Sequence, residues 1–327
     1  MASHASCNHE HHSAAGMTER RVMLSLCLTF TFVVVEFISG LRSNSLALLS
    51  DSGHNFSDGL ALLLSWYALR VARKPATPKR TYGFHRVGIL TALFNALTLL
   101  LIALFIFVEA YHLFLNPTPV SSSLMMGVAA VAFVLNTGIA VGLHGEALHD
   151  VNVRSAYVHM MGDAISSIGV IIAGAVIHFT NWRYADPLVS VLIGLFIVYS
   201  SVGIVRETIT VLLEGAPSGL DVEDLVAQMR SVNGVSDVHD LHVWTIANEM
   251  NALSCHLTLG EETNVNASVV VAEVKALLRA NNIPHSTIET ECGGCENAEL
   301  YCQLDDGRST NDHHHHHHSH GETCTHQ

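Results

Sequence analysis

Two pairs of metal-ligating side chains occur with the same spacing inside apolar segments of the chain: His54 with Asp58, and His159 with Asp163. Residues four apart lie on one face of an α-helix, so each segment presents one imidazole and one carboxylate in the same direction. Two such helices facing each other would offer two nitrogens and two oxygens around one point, a tetrahedral donor set suited to Zn²⁺. Ionisable groups at membrane depth cost about 2.5–3.5 kcal/mol each, so they are rarely there without a function. The spacing therefore predicts a metal site.

Buried His–Asp contacts that only hold helices together are the alternative interpretation of this pattern. Two copies in a chain rich in other ligands favour the metal site. Two ionised aspartates would balance the charge of a dication, which lowers the cost of holding it in a low-dielectric site. Asp51 lies on the same helix face, one turn from the first pair. Glu36, in the preceding apolar segment, is interpreted as a cavity-lining or hydrogen-bonding group.

The elements that carry these pairs belong to a membrane domain. Of the 327 residues 49% are hydrophobic, and the mean hydropathy is +0.35. Six apolar runs each reach the roughly 20 residues that span a bilayer. The sequence therefore predicts six transmembrane helices, at Val22–Leu41, Leu46–Val71, Val87–Leu115, Leu124–Leu143, Val158–Phe179 and Leu188–Leu213.

The distribution of basic residues predicts the orientation of these spans. Arg73, Lys74, Lys79 and Arg80 lie between the second and third runs, whereas the loop 116–119 has no Lys or Arg. Because short cytoplasmic loops are rich in Lys and Arg, both termini are expected in the cytoplasm. The second and fifth spans then run in opposite directions, which would place His54 level with Asp163 and Asp58 level with His159.

The part of the chain that follows the sixth run has the pattern of a small cytoplasmic α/β domain. Its periodicities predict the order helix–strand–strand–helix–strand, which suits a ferredoxin-like, metallochaperone-like fold. Between Ala216 and Asp312 there are sixteen Asp and Glu against four Lys and Arg, which argues against nucleic acid as a partner. About seventy residues form a thin core, so we expect pairing with a second copy.

Further candidate ligands lie in this domain and at both ends of the chain. His239 and His256 fall on neighbouring strands, and Cys292-Gly-Gly-Cys295 follows the last strand. These residues form a plausible soft zinc site, and the alternative is a surface cysteine pair. The ends, residues 1–20 and 293–327, are predicted to be disordered His- and Cys-rich tails flanking domains at 21–215 and 216–292. The run His313–His318 is either native or an expression tag, and the ligands beyond it favour a native tract.

Several motifs of the chain resemble those of the cation diffusion facilitator family, in particular its CzcD-like and ZnT-like zinc branch. They are NSLALLSDSGHNFSD at Asn44–Asp58, YGFHR at Tyr82–Arg86, NVRSA at Asn152–Ala156, DPL at Asp186–Leu188 and VHDLHVW at Val238–Trp244. The resemblance implies a homodimeric Zn²⁺/H⁺ antiporter with a metal-binding cytoplasmic domain. It implies transport ligands at His54, Asp58, His159 and Asp163, and cytoplasmic ligands at His239 and His256 with Glu289 or Glu291.

The sequence therefore predicts a zinc efflux transporter that exchanges Zn²⁺ for protons by alternating access. Cd²⁺ and Co²⁺ suit the same ligands, whereas Mn²⁺ and Mg²⁺ prefer oxygen. A membrane sensor or scaffold that binds zinc without moving it is the alternative function. An enzyme is not expected, because the chain has no metalloprotease-type H-E-x-x-H motif. We expect a multi-pass protein of a bacterial inner membrane rather than of an organelle.

Overall fold

The computed structural model describes residues 30–147, 151–247, 250–260, 266–292 and 299–301. The side chains of residues 146–147, 151–153, 155–156 and 292 are outside this description. The chain divides into two compact units. The first unit comprises Met1–Tyr67 with Thr91–Val205, and the second comprises Ala68–Leu90 with Arg206–Gln327.

Long helices form the first unit. Helix α1 covers 30–43 within the described residues, and it is followed by α2 (Leu46–Ala72), α3 (Arg86–Leu115), α4 (Ser122–Ala147), α5 (Val151–Thr180) and α6 (Ala185–Leu212). Within the described part of the chain, four stretches have the length and apolar composition to cross a membrane: Arg86–Leu115, Ser122–Gly145, Tyr157–Thr180 and Ala185–Leu212. The protein is thus a helical membrane protein, and the number six for its spans stays a prediction.

The N-terminus of α2 is held by a carboxylate from α6. Asp186 is fully buried and accepts hydrogen bonds from the Ser45 hydroxyl (2.6 Å) and from the backbone N–H groups of Leu46 (2.7 Å) and Ala47 (3.3 Å). The first N–H groups of a helix have no partner within the helix, and a negative charge there also interacts favourably with the helix dipole. Asp186 therefore fixes the start of α2 about two turns before His54.

The second unit contains a small sheet with two further helices. In chain order they are α7 (Val222–Arg230), β1 (Val235–Ala247), β2 (Met250–Leu259), α8 (Ala267–Ala280) and β3 (His285–Cys292). The strand order is β1-β2-β3, with β1 antiparallel and β3 parallel to β2. The helix and strand order is the one the sequence indicated, while the ferredoxin-like assignment stays a prediction. Strand β2 begins at Met250, and both Met250 and Asn251 pair with β1.

A β-bulge interrupts β1 between His239 and His242. Asp240 lies in the bulge with a positive φ of 48°, a left-handed conformation that Asp adopts more readily than most residues. A bulge adds one residue to a strand and changes the direction of its side chains. Here it brings an Asp240 oxygen to 3.6 Å from His256 Nε2 and another to 3.3 Å from His242 Nε2.

The cysteine in β2 gives a prediction about this domain's interior. Cys255 is buried in the hydrophobic core, and this burial, followed by the charge of Asp240, raises the pKa of its thiol to about 12. At pH 8 only about one thiol in ten thousand would be ionised, and the thiolate is the reactive form. We expect iodoacetamide to leave Cys255 unmodified in the native protein and to modify it after denaturation, as measured by peptide mass spectrometry. Rapid native labelling would contradict the buried position of this residue.

Candidate metal centres

Helices α2 and α5 bring the two His–Asp pairs together in the membrane unit. His54 Nε2 lies 3.5 Å from Asp163 Oδ1, and His159 Nε2 lies 3.1 Å from Asp58 Oδ2. Within each helix the imidazole and the carboxylate are also close, at 3.5 Å for His54–Asp58 and 3.6 Å for His159–Asp163. The four predicted residues therefore lie side by side, with each histidine next to the aspartate of the other helix, and ligand atoms of His54, His159 and Asp163 lie within 4.8 Å of one another.

The two sides of this cluster differ in their access to solvent. His54 and Asp163 are buried, whereas the side chain of His159 is 42% exposed and that of Asp58 is intermediate. Within the described residues, neither ring nitrogen of His54 makes a hydrogen bond, and neither does Asp58 Oδ2. Buried polar atoms usually have a hydrogen-bond partner, and the close contacts among these atoms lack hydrogen-bond geometry, so the cluster suits metal coordination. An ion could approach from the His159 side.

Small residues let neighbouring helices approach α2 beside the cluster. A β-carbon added at Gly59 would lie 3.1 Å from the Phe30 ring of α1, and one added at Gly53 would lie 3.3 Å from Ile102 of α3. Ser57 donates a hydrogen bond to Asn95 Oδ1 of α3 over 3.0 Å. Helices α1 and α3 thus approach closely the part of α2 that carries His54 and Asp58.

A second ligand cluster lies on the sheet. His239 Nε2 is 3.2 Å from Glu291 Oε2, and His256 Nδ1 is 2.9 Å from Glu291 Oε1. The register accounts for the histidine pair, because His239 pairs directly with His256 on the neighbouring strand. In β3 the residue paired with His256 is Glu289, and Glu291 contacts both histidines from a position two residues farther along. His239 is 4% exposed, and within the described residues neither of its ring nitrogens is hydrogen bonded. These donors fit a bound metal ion.

The other predicted cytoplasmic ligands lie at the margin of this cluster or outside the described residues. Glu289 lies 3.6 Å from His256, but its side chain is 70% exposed. Asp240, which sequence reasoning did not select as a ligand, lies at the same distance from His256. Its only sequence signal is its place between two histidines in the motif of β1. The side chain of Cys292, all of Cys295 and both tails lie outside the described residues.

Comparison with known proteins supports the membrane unit and the sheet unit separately. Residues 22–213 match the family model of the cation efflux transmembrane domain, and residues 217–291 match that of the cation efflux protein cytoplasmic domain. The chain belongs to the cation diffusion facilitator family. The resemblance found in the sequence motifs is confirmed, and members of this family are cation transporters and not enzymes.

Characterised members of the family cover almost the whole of this transporter. It is 34% identical over 90% of its length to a cadmium, cobalt and zinc/H⁺-K⁺ antiporter of Bacillus subtilis, of which 96% is covered. It is 35% identical over 88% of its length to the metal cation efflux system protein CzcD of Cupriavidus metallidurans, of which 91% is covered. It is 33% identical over 93% of its length to the zinc transporter ZitB of Escherichia coli, of which 98% is covered. The protein is therefore a divalent metal cation efflux transporter.

Proposed function

We propose that this transporter exports Zn²⁺ from the cytoplasm in exchange for protons, through a site formed by His54, Asp58, His159 and Asp163. The observation that carries the proposal is the set of four nitrogen–oxygen separations, which lie between 3.1 and 3.6 Å. With zinc bonds of about 2.0–2.2 Å, neighbouring donors of a tetrahedron are about 3.3–3.6 Å apart. Ligand atoms of His54, His159 and Asp163 already lie within 4.8 Å of one another, and Asp58 would move closer to complete the tetrahedron.

The ligand types also explain how a proton could displace the metal. A histidine binds metal only through its neutral form, and an unperturbed imidazole takes up a proton near pH 6.5. Protonation of His54 or His159 would remove one donor and add a positive charge beside the dication. Zinc would thus be bound with the cluster open to the cytoplasm and released by protons with the cluster open to the other side.

The wider arrangement is part of the same proposal. Six spans with both termini in the cytoplasm, in a bacterial inner membrane, would place the sheet unit where zinc is collected. The thin core of that unit favours a homodimer. Two nitrogen and two oxygen donors suit Zn²⁺, and they accept Cd²⁺ and Co²⁺ as well, while Mn²⁺ and Mg²⁺ are disfavoured.

The cluster on the sheet is proposed as a regulatory zinc site. His239, His256 and Glu291 would supply the donors, and Asp240 lies close enough to His256 to hold its other ring nitrogen. A carboxylate that orients a ligating imidazole increases metal affinity. A bound ion here would join β1, β2 and β3 and so stabilise the sheet.

Replacing the two glutamates of β3 one at a time distinguishes a specific zinc site from an acidic surface that attracts zinc without defined ligands. We expect Glu291→Gln to weaken zinc binding to the cytoplasmic site at least about tenfold, because Glu291 contacts both histidines. The matched variant Glu289→Gln, two residues away and mostly exposed, should change the affinity less than about threefold. Isothermal titration with the full-length protein, in an Asp163→Asn background that lacks the transport site, measures the difference. If both variants weakened zinc binding equally, Glu291 would not be a specific ligand of this site.

A vesicle experiment tests the transport proposal against the zinc-sensing alternative. The full-length protein is reconstituted into liposomes that contain a zinc dye and a pH dye. An antiporter moves zinc inward and protons outward together when zinc is added, whereas a sensor or scaffold binds zinc and leaves both dyes unchanged. Repeating the assay with Cd²⁺, Co²⁺ and Mn²⁺ ranks the metals, and we expect Mn²⁺ to be transported least.

A further inference from the structure

Two acidic side chains outside the four-ligand set meet in the membrane unit. Glu36 of α1 is fully buried, and Asp51 of α2 is 2% exposed. Asp51 lies one helical turn before Asn55, whose side chain contacts Glu36, so the two carboxyl groups lie close together. The Asn55 amide donates to Glu36 Oε2 over 3.1 Å, and the Ser166 hydroxyl donates to Asp51 Oδ1 over 3.1 Å. Contacts from α1, α2 and α5 therefore hold this carboxyl pair in place.

The carboxyl pair has one oxygen without a hydrogen-bond partner, and among the described residues the basic side chain that acts on it is His54. Within the described residues, Glu36 Oε1 makes no hydrogen bond. Besides the pair itself, the titratable groups that act on it are His54 of α2 and Asp163 of α5, and no Lys or Arg is among them. The ion-pair contacts that the structure describes for the four ligands join those ligands to one another. The carboxyl pair is thus a neighbour of the metal site and not part of it.

Charge and donor type together limit what the carboxyl pair can hold. Two ionised carboxylates that lie close together in a low-dielectric environment repel each other and lose their hydration. One positive charge between them removes most of that cost. The surrounding donors are two carboxyls, one hydroxyl and one amide, with no nitrogen or sulfur ligand of the kind that zinc prefers. A single proton held by the two carboxyl groups supplies the positive charge and requires no nitrogen or sulfur ligand.

We propose that Glu36 and Asp51 form a proton-binding site beside the metal site, and that this site carries one of the counter-transported protons. The proposal rests on the antiport function proposed above. The O–H bond forms between a carboxylate of the pair and a proton taken up on the side where zinc is released. It breaks when the proton passes to water on the cytoplasmic side. Ser166 lies one helical turn from Asp163, so a movement of α5 that opens the metal site also changes the hydrogen bond to Asp51.

The experiment counts protons per zinc ion and detects the protonated carboxyl group directly. Zinc and proton fluxes are measured in the same vesicles for the wild type, Glu36→Gln and Asp51→Asn, and for the control Glu109→Gln, which changes a carboxyl group of α3. We expect the number of protons per zinc ion to fall by about one in Glu36→Gln and Asp51→Asn and to stay unchanged in the control. Zinc affinity, measured by titration on the same preparations, should change less than about threefold, because the four ligands remain.

Infrared difference spectra on zinc binding supply the second readout. The wild type should show the carbonyl band of a protonated carboxylic acid at neutral pH, and Glu36→Gln should lose it while Glu109→Gln keeps it. A packing role for Glu36 would lower stability without changing the proton count. If both Glu36→Gln and Asp51→Asn keep the wild-type count and band while zinc and protons still exchange, the carboxyl pair does not carry a proton. If the wild type moves zinc without protons, the antiport proposal is wrong. The infrared carbonyl band then shows separately whether the carboxyl pair is protonated.

A comparison of vesicles with and without potassium tests whether the carboxyl pair binds a proton or an alkali cation, which oxygen donors would also accept. The same vesicles are prepared with K⁺ or with a large organic cation in its place. A proton site predicts equal zinc exchange in both media for the wild type and for Glu36→Gln. Faster wild-type exchange in K⁺, lost in Glu36→Gln, would overturn the proton as the occupant.

Discussion

Replacing Asp163 with asparagine is expected to reduce zinc-driven proton movement by at least about a hundredfold. Asp163 lies between the two imidazoles, 3.5 Å from His54 and 3.6 Å from His159, and it is buried. The amide keeps the shape but removes a negative charge, so that the bound dication would leave a net positive charge in a low-dielectric site. Flux of zinc and protons in reconstituted vesicles measures the loss. We expect Asp58→Asn to behave in the same way, because Asp58 contacts His159 at 3.1 Å.

A matched control distinguishes loss of a ligand from loss of a membrane carboxyl group. Glu109 lies in α3 and is not part of either ligand cluster within the described residues. Glu109→Gln should therefore transport zinc at the wild-type rate. Wild-type flux in Asp163→Asn would show that the two His–Asp pairs only hold the helices together, which was the alternative interpretation of their spacing.

Replacing Asp186 with alanine is expected to destabilise the membrane unit by about 3 kcal/mol. The carboxylate accepts three hydrogen bonds at the start of α2, and removing it leaves buried donors at Ser45, Leu46 and Ala47 without a partner. Hydrogen bonds to a charged group contribute about 1.5–3 kcal/mol each, and they are not additive. The midpoint of thermal unfolding of the detergent-purified protein should fall by several degrees.

The conservative variant at the same position refines this prediction. Asp186→Asn keeps one acceptor oxygen and removes the charge, so its unfolding midpoint should fall between those of the wild type and Asp186→Ala. Because α2 begins at this contact and carries His54 about two turns later, zinc affinity should weaken in the same order. An alanine variant as stable as the wild type would show that water replaces the carboxylate without cost.

In the cluster on the sheet, residue spacing alone does not determine which acidic side chains contact the histidines. Sequence patterns indicated that His239 and His256 lie on neighbouring strands, but they left Glu289 and Glu291 as equal alternatives. These two glutamates lie on the same face of β3 because side chains alternate along a strand. In the register His256 pairs with Glu289, yet the folded side chains bring Glu291 against both histidines and leave Glu289 mostly exposed. A β-bulge in β1, which no local sequence pattern predicts, adds Asp240 to the cluster.

The sequence alone determined that the histidine and the aspartate of each pair share one helix face, because residues four apart are neighbours on the surface of a helix. The direction of the spans, inferred from the basic loop residues, then indicated which histidine faces which aspartate. Two contacts that only folding could decide are that of Glu36 with Asn55 of α2, which brings Glu36 close to Asp51, and the capping of α2 by Asp186. Both join residues distant in the chain, through the rotation and translation of packed helices. These depend on the side chains of every neighbouring helix, and no single segment contains that information.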